Sequence, residues 1–510
     1  MPFKHFFQTH TLIAGTLFLT AAGLISRILG FFYRICLSRT IGAEGLGIYQ
    51  MVFPIYGICF SLCAGSIQTA ISRFTAANRE RARQTLLCGF LISFSISLIL
   101  AAMIRSQAEF LAVHILMEPQ CAPLLPALAL AIPFTSLHAC VCGYFYGKNH
   151  VQLPAVSQLL EQCVRIFTVF LVVDIRQSMG YEVTALVAVW GLLAGEAVSA
   201  LFVLLSFFIL SETARTTAPR TSISSAIQTT AVPLMALAAP LMANRLVMNV
   251  LQSAEAIMIP NKLEQFGLTD SQAVSIYGVL TGMAIPFIMF PSAIVNSLAV
   301  VLLPTVARQQ AAGNNSGILK NLSLSVRCSL YMGILCIGIF TVFGSELGMS
   351  VFQNHDAGSF LTILAWLCPF LYLATTMGSV LNGLGKTTIT FINNCASLLI
   401  RLLFVFFGIP HFGIHACLWG MLVSEIILVL LHSYSIRRLV PFSINAWDVL
   451  VKPVFCLLMA LGIQRLLPET LSVSSMLPAF AWTMVRIGFV CVCYALVLLL
   501  LHQKTEKDTA

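Results

Sequence analysis

The sequence predicts an all-α polytopic membrane protein of about fourteen transmembrane helices, built as two six-helix halves in parallel repeat with two further helices at the C-terminus. Three observations predict it. The 510 residues are 58 % hydrophobic and only 9 % charged, with mean hydropathy +0.92, where a soluble domain carries about 25 % charged residues. Apolar runs of about 20 residues recur from end to end, the length that crosses a hydrocarbon core of about 30 Å. A long internal repeat relates residues 1–220 to residues 221–440, leaving 441–510 as the extra helices.

The spans fall near 11–35, 49–72, 85–105, 124–146, 153–174, 183–210, 228–252, 273–303, 321–343, 360–382, 388–409, 413–435, 448–466 and 480–502. The first run, TLIAGTLFLTAAGLIS, leads into SRILGFFYR without a convincing cleavage site and is expected to stay as a helix. Loops are short, and no extramembrane domain is expected. Lys and Arg orient the chain. The even loops and the termini hold Lys4, Arg73, Arg79, Arg81, Arg83, Lys148, Arg215, Arg220, Arg308, Lys320, Arg327, Lys386, Arg437, Arg438, Lys452, Lys504 and Lys507. The odd loops and their borders hold Arg34, Arg39, Arg105, Arg176, Lys262 and Arg465. Both termini are therefore expected in the cytoplasm, with the chain multi-pass in the cell (plasma) membrane. The net charge of +9 needs no nucleic acid. The basic loop ANRERARQ (77–84) suits the same rule, with anionic membrane lipids as a further contact. The 16 cysteines include no CxxC pair and no zinc spacing, so no metal site and no cofactor are expected.

The stretch GLGKTT (383–388) resembles half of a phosphate-binding loop, but Val380 stands where GxxxxGK[ST] requires its first glycine. No nucleotide is expected. The stretch is instead the second copy of an interhelical turn. IPFTSLHACVCGYFYGKNHVQLPAVSQLLEQCVRIFTVF and CPFLYLATTMGSVLNGLGKTTITFINNCASLLIRLLFVF share Pro-Phe, a Gly-Lys turn and an Arg before a Val-Phe tail, and Pro133 to Arg165 spans the same distance as Pro369 to Arg401. WGLLAGE (190–196) matches WGMLVSE (419–425). More weakly, SRILG (26–30) matches NRLVM (244–248) and FTAAN (74–78) matches PTVAR (304–308). Six spans per half is even, so both halves share one orientation.

Charge inside the spans carries the chemistry, because each such group costs at least ~2.5 kcal/mol at the bilayer centre and needs a partner or a wet cavity. The candidates are Arg27, Arg34, Arg165, Arg245 and Arg401, with the acids Glu161, Glu196, Glu255 and Glu425 as coupling or structural groups. Arginine stays charged and binds phosphate bidentately, so arginines lining a central cavity point to an anionic ligand. Glu161 and Arg165 stand i,i+4 with the acid first, the favoured order for an intrahelical pair. Ser397 replaces that acid before Arg401, leaving Glu425 as the candidate partner. His138 is expected to be a satisfied core histidine, and Arg486 a packing or lipid contact. Several prolines fall inside spans, Pro133 and Pro369 at matching places, as candidate hinges against plain helix curvature.

SRILGFFYRICLSRTIGAEGLGIYQMVFPIY, with LPAVSQLLEQCVRI and LNGLGKT, resembles the stage V sporulation protein B branch of polysaccharide transporters, in the multidrug/oligosaccharidyl-lipid/polysaccharide (MOP) exporter superfamily, whose fold is MATE-like and MurJ-like. The resemblance covers nearly the whole chain. It implies a 6+6+2 arrangement around a V-shaped cavity and the flipping of a lipid-linked sugar by alternating access. SRILG also resembles the first helix of the MurJ lipid II flippases and carries over Arg27. Their next arginine falls at Tyr33, with Arg34 beside it, and one on the second helix falls at Ile58. These departures weigh against lipid II itself and leave a polyprenyl-pyrophosphate-linked sugar, a peptidoglycan or polysaccharide precursor, as the implied cargo. The alternative is a MATE-type multidrug or cation antiporter, for which Glu196 and Glu255 would serve. No catalytic constellation is present, so no enzyme is expected.

Overall fold

The computed structural model describes residues 11–212, 227–442, 445–465 and 479–509. Lys4, Arg215 and Arg220, used above to orient the chain, lie outside them. The described residues are almost all helical and include no strand, and fourteen of their helices are long and apolar enough to cross a membrane. The helices are α1 Thr11–Met51, α2 (53–77), α3 Ala82–Ser106, α4 Leu125–Gly147, α5 Gln152–Ser178, α6 Leu186–Glu212, α7 Val232–Gln265, α8 (270–289), α9 Ser292–Ala311, α10 Asn315–Leu347, α11 (355–383), α12 Thr387–Leu403, α13 Ile414–Leu439, α14 Lys452–Arg465 and α15 Ala479–Thr509.

Two departures from the expected spans have local causes. The first two spans run together as one helical stretch, 21–77, broken inside α1 at Gly42. There φ is 70° and ψ −175°, a conformation essentially restricted to glycine. The span expected at 273–303 is two helices, because Pro291 ends the intrahelical bonding after Phe290 and caps α9.

By contacts the chain forms two compact units, Met1–Asn261 and Lys262–Ala510. Most of α7 therefore belongs to the first unit, although the repeat pattern aligns it with the start of the second half. Its attachment is polar as well as apolar: Asn249 Nδ2 donates to Gly57 O (3.0 Å) and to Ser61 Oγ on α2. The core of the first unit joins Ile67 and Ile71 of α2, Leu86 of α3, Val141 and Phe145 of α4, Val203 of α6 and Leu234 of α7. In the second unit Leu302 and Val306 of α9 pack with Leu322 and Val326 of α10, Met377 and Val380 of α11, and Leu428 and Ile436 of α13. Large apolar side chains such as Leu91, Phe167, Phe208, Phe407 and Leu499 are exposed, as helix faces in lipid require.

The turn containing Gly385 and Lys386 has the same hydrogen bonding as the turn after α4. After α4, Lys148 N donates to Tyr144 O, Asn149 N to Tyr146 O and His150 N to Phe145 O. After α11, Leu384, Gly385 and Lys386 make the equivalent bonds to Val380, Asn382 and Leu381. The left-handed residue is Asn149 in one turn (φ 63°) and Gly385 in the other (φ 71°). This register sets Lys148 opposite Leu384 and Lys386 opposite His150, so the two lysines that suggested the match occupy different places in the turn. The two candidate hinges also differ. Pro133 sits inside the uninterrupted α4, whereas Pro369 opens the helix Cys368–Gly383 after a 3-10 turn, where a missing N–H costs nothing.

Candidate functional site: a buried ionic cluster in the first unit

The first unit concentrates its buried charge where α2, α4, α5 and α6 meet. On α5, Glu161 and Arg165 form the expected i,i+4 ion pair through Oε1 and Nη2. Small residues bring α6 against that segment. A Cβ on Gly195 would stand 2.9 Å from Glu161 O, and one on Gly191 would stand 3.0 Å from Arg165 O. This small-xxx-small spacing lets two helix backbones touch, and it sets Glu196 beside Glu161.

Glu196 is only 6 % exposed. Tyr56 of α2 donates its hydroxyl to Glu196 Oε1 at 3.0 Å and lies 3.0 Å from Thr135 Oγ1 of α4. The second oxygen, Oε2, is buried with no hydrogen bond and lies 3.7 Å from His138 Nδ1. The other ring nitrogen of His138 is 3.0 Å from Ser157 Oγ on α5, and Nδ1 is also 3.4 Å from Ser199 Oγ on α6. His138 is thus hydrogen-bonded as expected, but it also faces two acids. Ligand atoms of His138, Glu161 and Glu196 lie within 4.8 Å of one another. They line a cavity of about 250 Å³ together with Gln68, Thr135 and Gln158.

Of the arginines expected to bind an anion, two reach this region. Arg34 is half-buried on α1 and has Arg165, Tyr33 and Tyr49 as electrostatic neighbours. Arg165 carries Glu161 with it. Arg245 lies apart, with its guanidinium against Gly65 of α2 and Nη2 3.4 Å from Thr69 Oγ1. Arg27 is exposed on α1. Among the described residues neither Arg27 nor Arg245 is paired with a carboxylate. Glu255 is buried on α7.

Arg401 is half-buried on α12 of the second unit. Ser397, at the place of Glu161, donates to Ser424 O at 2.8 Å. Glu425 lines a cavity of about 290 Å³ with Thr390, Asn394 and His432. The lining residues of the two cavities stand at corresponding places in the repeat: Cys142 with Gly378, Pro154 with Thr390, Gln158 with Asn394 and Glu196 with Glu425.

Sequence reasoning missed the neutral half of the cluster, Tyr56, Thr135, Ser157 and Ser199. The available signal was hydroxyl side chains inside otherwise apolar spans, on helices that also carry charge. It also missed two ion pairs in the second unit. Arg486 packs over the Phe343 ring, and its Nη1 also contacts Glu346 at 3.0 Å; Arg327 Nη2 meets Asp448 at 2.7 Å.

Residues 12–310 match the model of the family described as polysaccharide biosynthesis protein. Stage V sporulation protein B of Bacillus subtilis (strain 168) is 27 % identical over 445 residues, covering 85 % of each chain. Lipid II flippase MurJ of the same organism is 22 % identical, covering 77 % of this chain and 76 % of its own. Among solved structures, lipid II flippase MurJ in an inward closed conformation matches with a TM-score of 0.74 at 13 % identity, over 96 % of this chain and 99 % of that one. An inward-facing multidrug resistance MATE family transporter of the MOP superfamily gives a TM-score of 0.63 at 13 % identity, over 81 % of this chain and 95 % of its own.

Proposed function

The chain belongs to the polysaccharide biosynthesis protein family, and from that premise we propose that it flips a polyprenyl-pyrophosphate-linked sugar across the membrane by alternating access. The cargo would be a peptidoglycan or polysaccharide precursor, moved outward from a cytoplasmic side that also holds both termini. At the coarser level it is a multi-pass membrane transporter with the fold shared by MurJ and MATE proteins.

The observation that carries the finer reading is the pair of exposed guanidiniums, Arg27 and Arg245, on apolar helices without a carboxylate among the described residues. A guanidinium on a membrane helix needs an anion or water. A pyrophosphate offers the bidentate oxygens that suit it, and Arg34 adds a third donor near the aromatic pair Tyr33 and Tyr49. The lipid tail needs no polar site. Any driving force would come from an ion gradient, the substrate gradient or the membrane potential, the last worth about 2.3 kcal/mol per charge per 100 mV.

Reconstitution tests this. Purified protein in vesicles should move fluorescent polyprenyl-pyrophosphoryl sugars between leaflets, and Arg27→Ala and Arg245→Ala should each slow the movement at least tenfold. The Glu161–Glu196–His138 cluster favours one other reading, a cation antiporter of the multidrug type. Robust exchange of cationic drugs, with no movement of any polyprenyl lipid, would select it.

A further inference from the structure

The partners of His138 suit a ring protonated on both nitrogens. Ser157 Oγ lies 2.8 Å from Pro154 O and 3.0 Å from His138 Nε2, so with its proton on the carbonyl its oxygen accepts from Nε2. Ser199 donates to Glu196 O at 3.1 Å, so its oxygen likewise accepts from Nδ1. Nδ1 also faces Glu196 Oε2, a buried carboxylate oxygen with no hydrogen bond. With both serine protons on backbone carbonyls, both ring nitrogens face acceptors, an arrangement that an imidazole satisfies with a proton on each.

Charge points the same way. The titratable groups around the ring are Tyr56 on α2, Cys142 on α4 itself, Glu161 and Arg165 on α5, and Glu196 on α6. Arg34, Tyr33 and Tyr49 adjoin Arg165 from α1. Arg165 is paired with Glu161, and the ring nitrogen facing Glu196 Oε2 is Nδ1 of His138. An imidazolium there gives Glu196 a counter-charge inside an apolar bundle.

We infer that His138, held between Ser157, Ser199 and Glu196, is a proton-binding site of the first unit, and that the proton is the coupling ion of the transport cycle. The second clause rests on the reading of the chain as a transporter. The site is built so that its occupancy is felt by helix packing. With the proton bound, His138 ties α4 to α5 through Ser157 and to α6 through Ser199 and Glu196. Without it, a ring nitrogen lone pair confronts an acceptor, and Glu196 keeps only Tyr56 as a donor. The cavity beside the three side chains gives the proton an aqueous route. An oxygen-seeking alkali cation suits this donor set less well, since imidazole is a poor ligand for it.

The test uses the full chain in lipid nanodiscs with nitrogen-15-labelled histidine, the His138 signals being assigned by their loss in His138→Gln. At about pH 7.5, a unit above the ordinary histidine midpoint, His138 should show two protonated ring nitrogens. Glu196→Gln, which keeps the size and removes the charge, should abolish that pattern at the same pH and serves as the second variant if His138→Gln does not survive purification. A single N–H in the unmutated protein at that pH overturns the site. So does a two-N–H pattern that collapses when sodium is added.

In proteoliposomes, a pH difference of one unit should shift the steady-state distribution of a flipped lipid about tenfold for one coupled proton, and Glu196→Gln should flatten that response. Flipping that ignores the pH difference removes the coupling role. If no lipid moves at all, the flippase reading fails, and the nitrogen signals still decide the proton site.

Discussion

The two units place corresponding residues around a cavity, yet one surrounds its histidine with acceptors and the other with a donor. In the first unit, His138 comes from α4 and meets Ser157 of α5. In the second, His432 comes from α13 and meets Asn393 of α12, which stands at the place of Ser157 in the repeat. The Asn393 amide nitrogen is a donor only, so His432 Nδ1 accepts from it at 3.0 Å, and one ring nitrogen carries no proton. Where the first unit has Glu161, the second has Ser397, bonded to the α13 backbone. Where the first has Gly195 at the helix contact, the second has Ser424. A shared scaffold therefore carries a histidine facing acceptors in the first unit and a histidine facing a donor in the second, beside the cavity that Glu425 lines.

The largest expected effect breaks the Glu161–Arg165 pair. Glu161→Ala leaves the half-buried Arg165 without that partner and should destabilise the first unit by about 3 kcal/mol. Ser397→Ala, its counterpart, should cost about 1 kcal/mol. Thermal unfolding of the purified variants in one detergent compares them, and equal losses would mean that the two clusters are energetically alike. Next comes the helix contact. Gly195→Leu forces its side chain into Glu161 O and should cost about 1–3 kcal/mol by overpacking, with transport falling alongside stability.

Tyr56→Phe removes one of the donors to Glu196 and should cost about 1.5–3 kcal/mol, the worth of a hydrogen bond to a charged group. Asn393→Asp sharpens the comparison from the other side. It replaces a donor with an acceptor at His432, so His432 should acquire a second N–H in the nitrogen spectrum while His138 stays unchanged. The smallest effect lies in the repeated turn. Gly385→Ala must hold a left-handed φ and should cost about 1–2 kcal/mol. Asn149→Gly should be neutral to slightly stabilising, by a few tenths of a kcal/mol.

The membrane class, the helix count and the repeated turn were legible because each is a local or periodic property. About twenty apolar residues make a span wherever they fall, and a left-handed position after a helix draws glycine or asparagine. Pairings within one helix, such as Glu161 with Arg165, were legible for the same reason. Pairings between helices were not. Nothing in the linear order announces that Tyr56 will reach Glu196, or that Arg486 will meet Glu346, because both depend on how helices rotate against one another.

By itself, then, the sequence determined the solvent the chain folds in, the number and punctuation of its helices, and which charges must be accounted for inside them. Tertiary structure alone decided which partners those charges received. Backbone approach at Gly191 and Gly195 set Glu196 of α6 facing His138, and Asn249 tied α7 to α2. The physical reason is that the preference for lipid acts on each span separately, whereas satisfying a buried polar group requires a second helix at hydrogen-bonding distance.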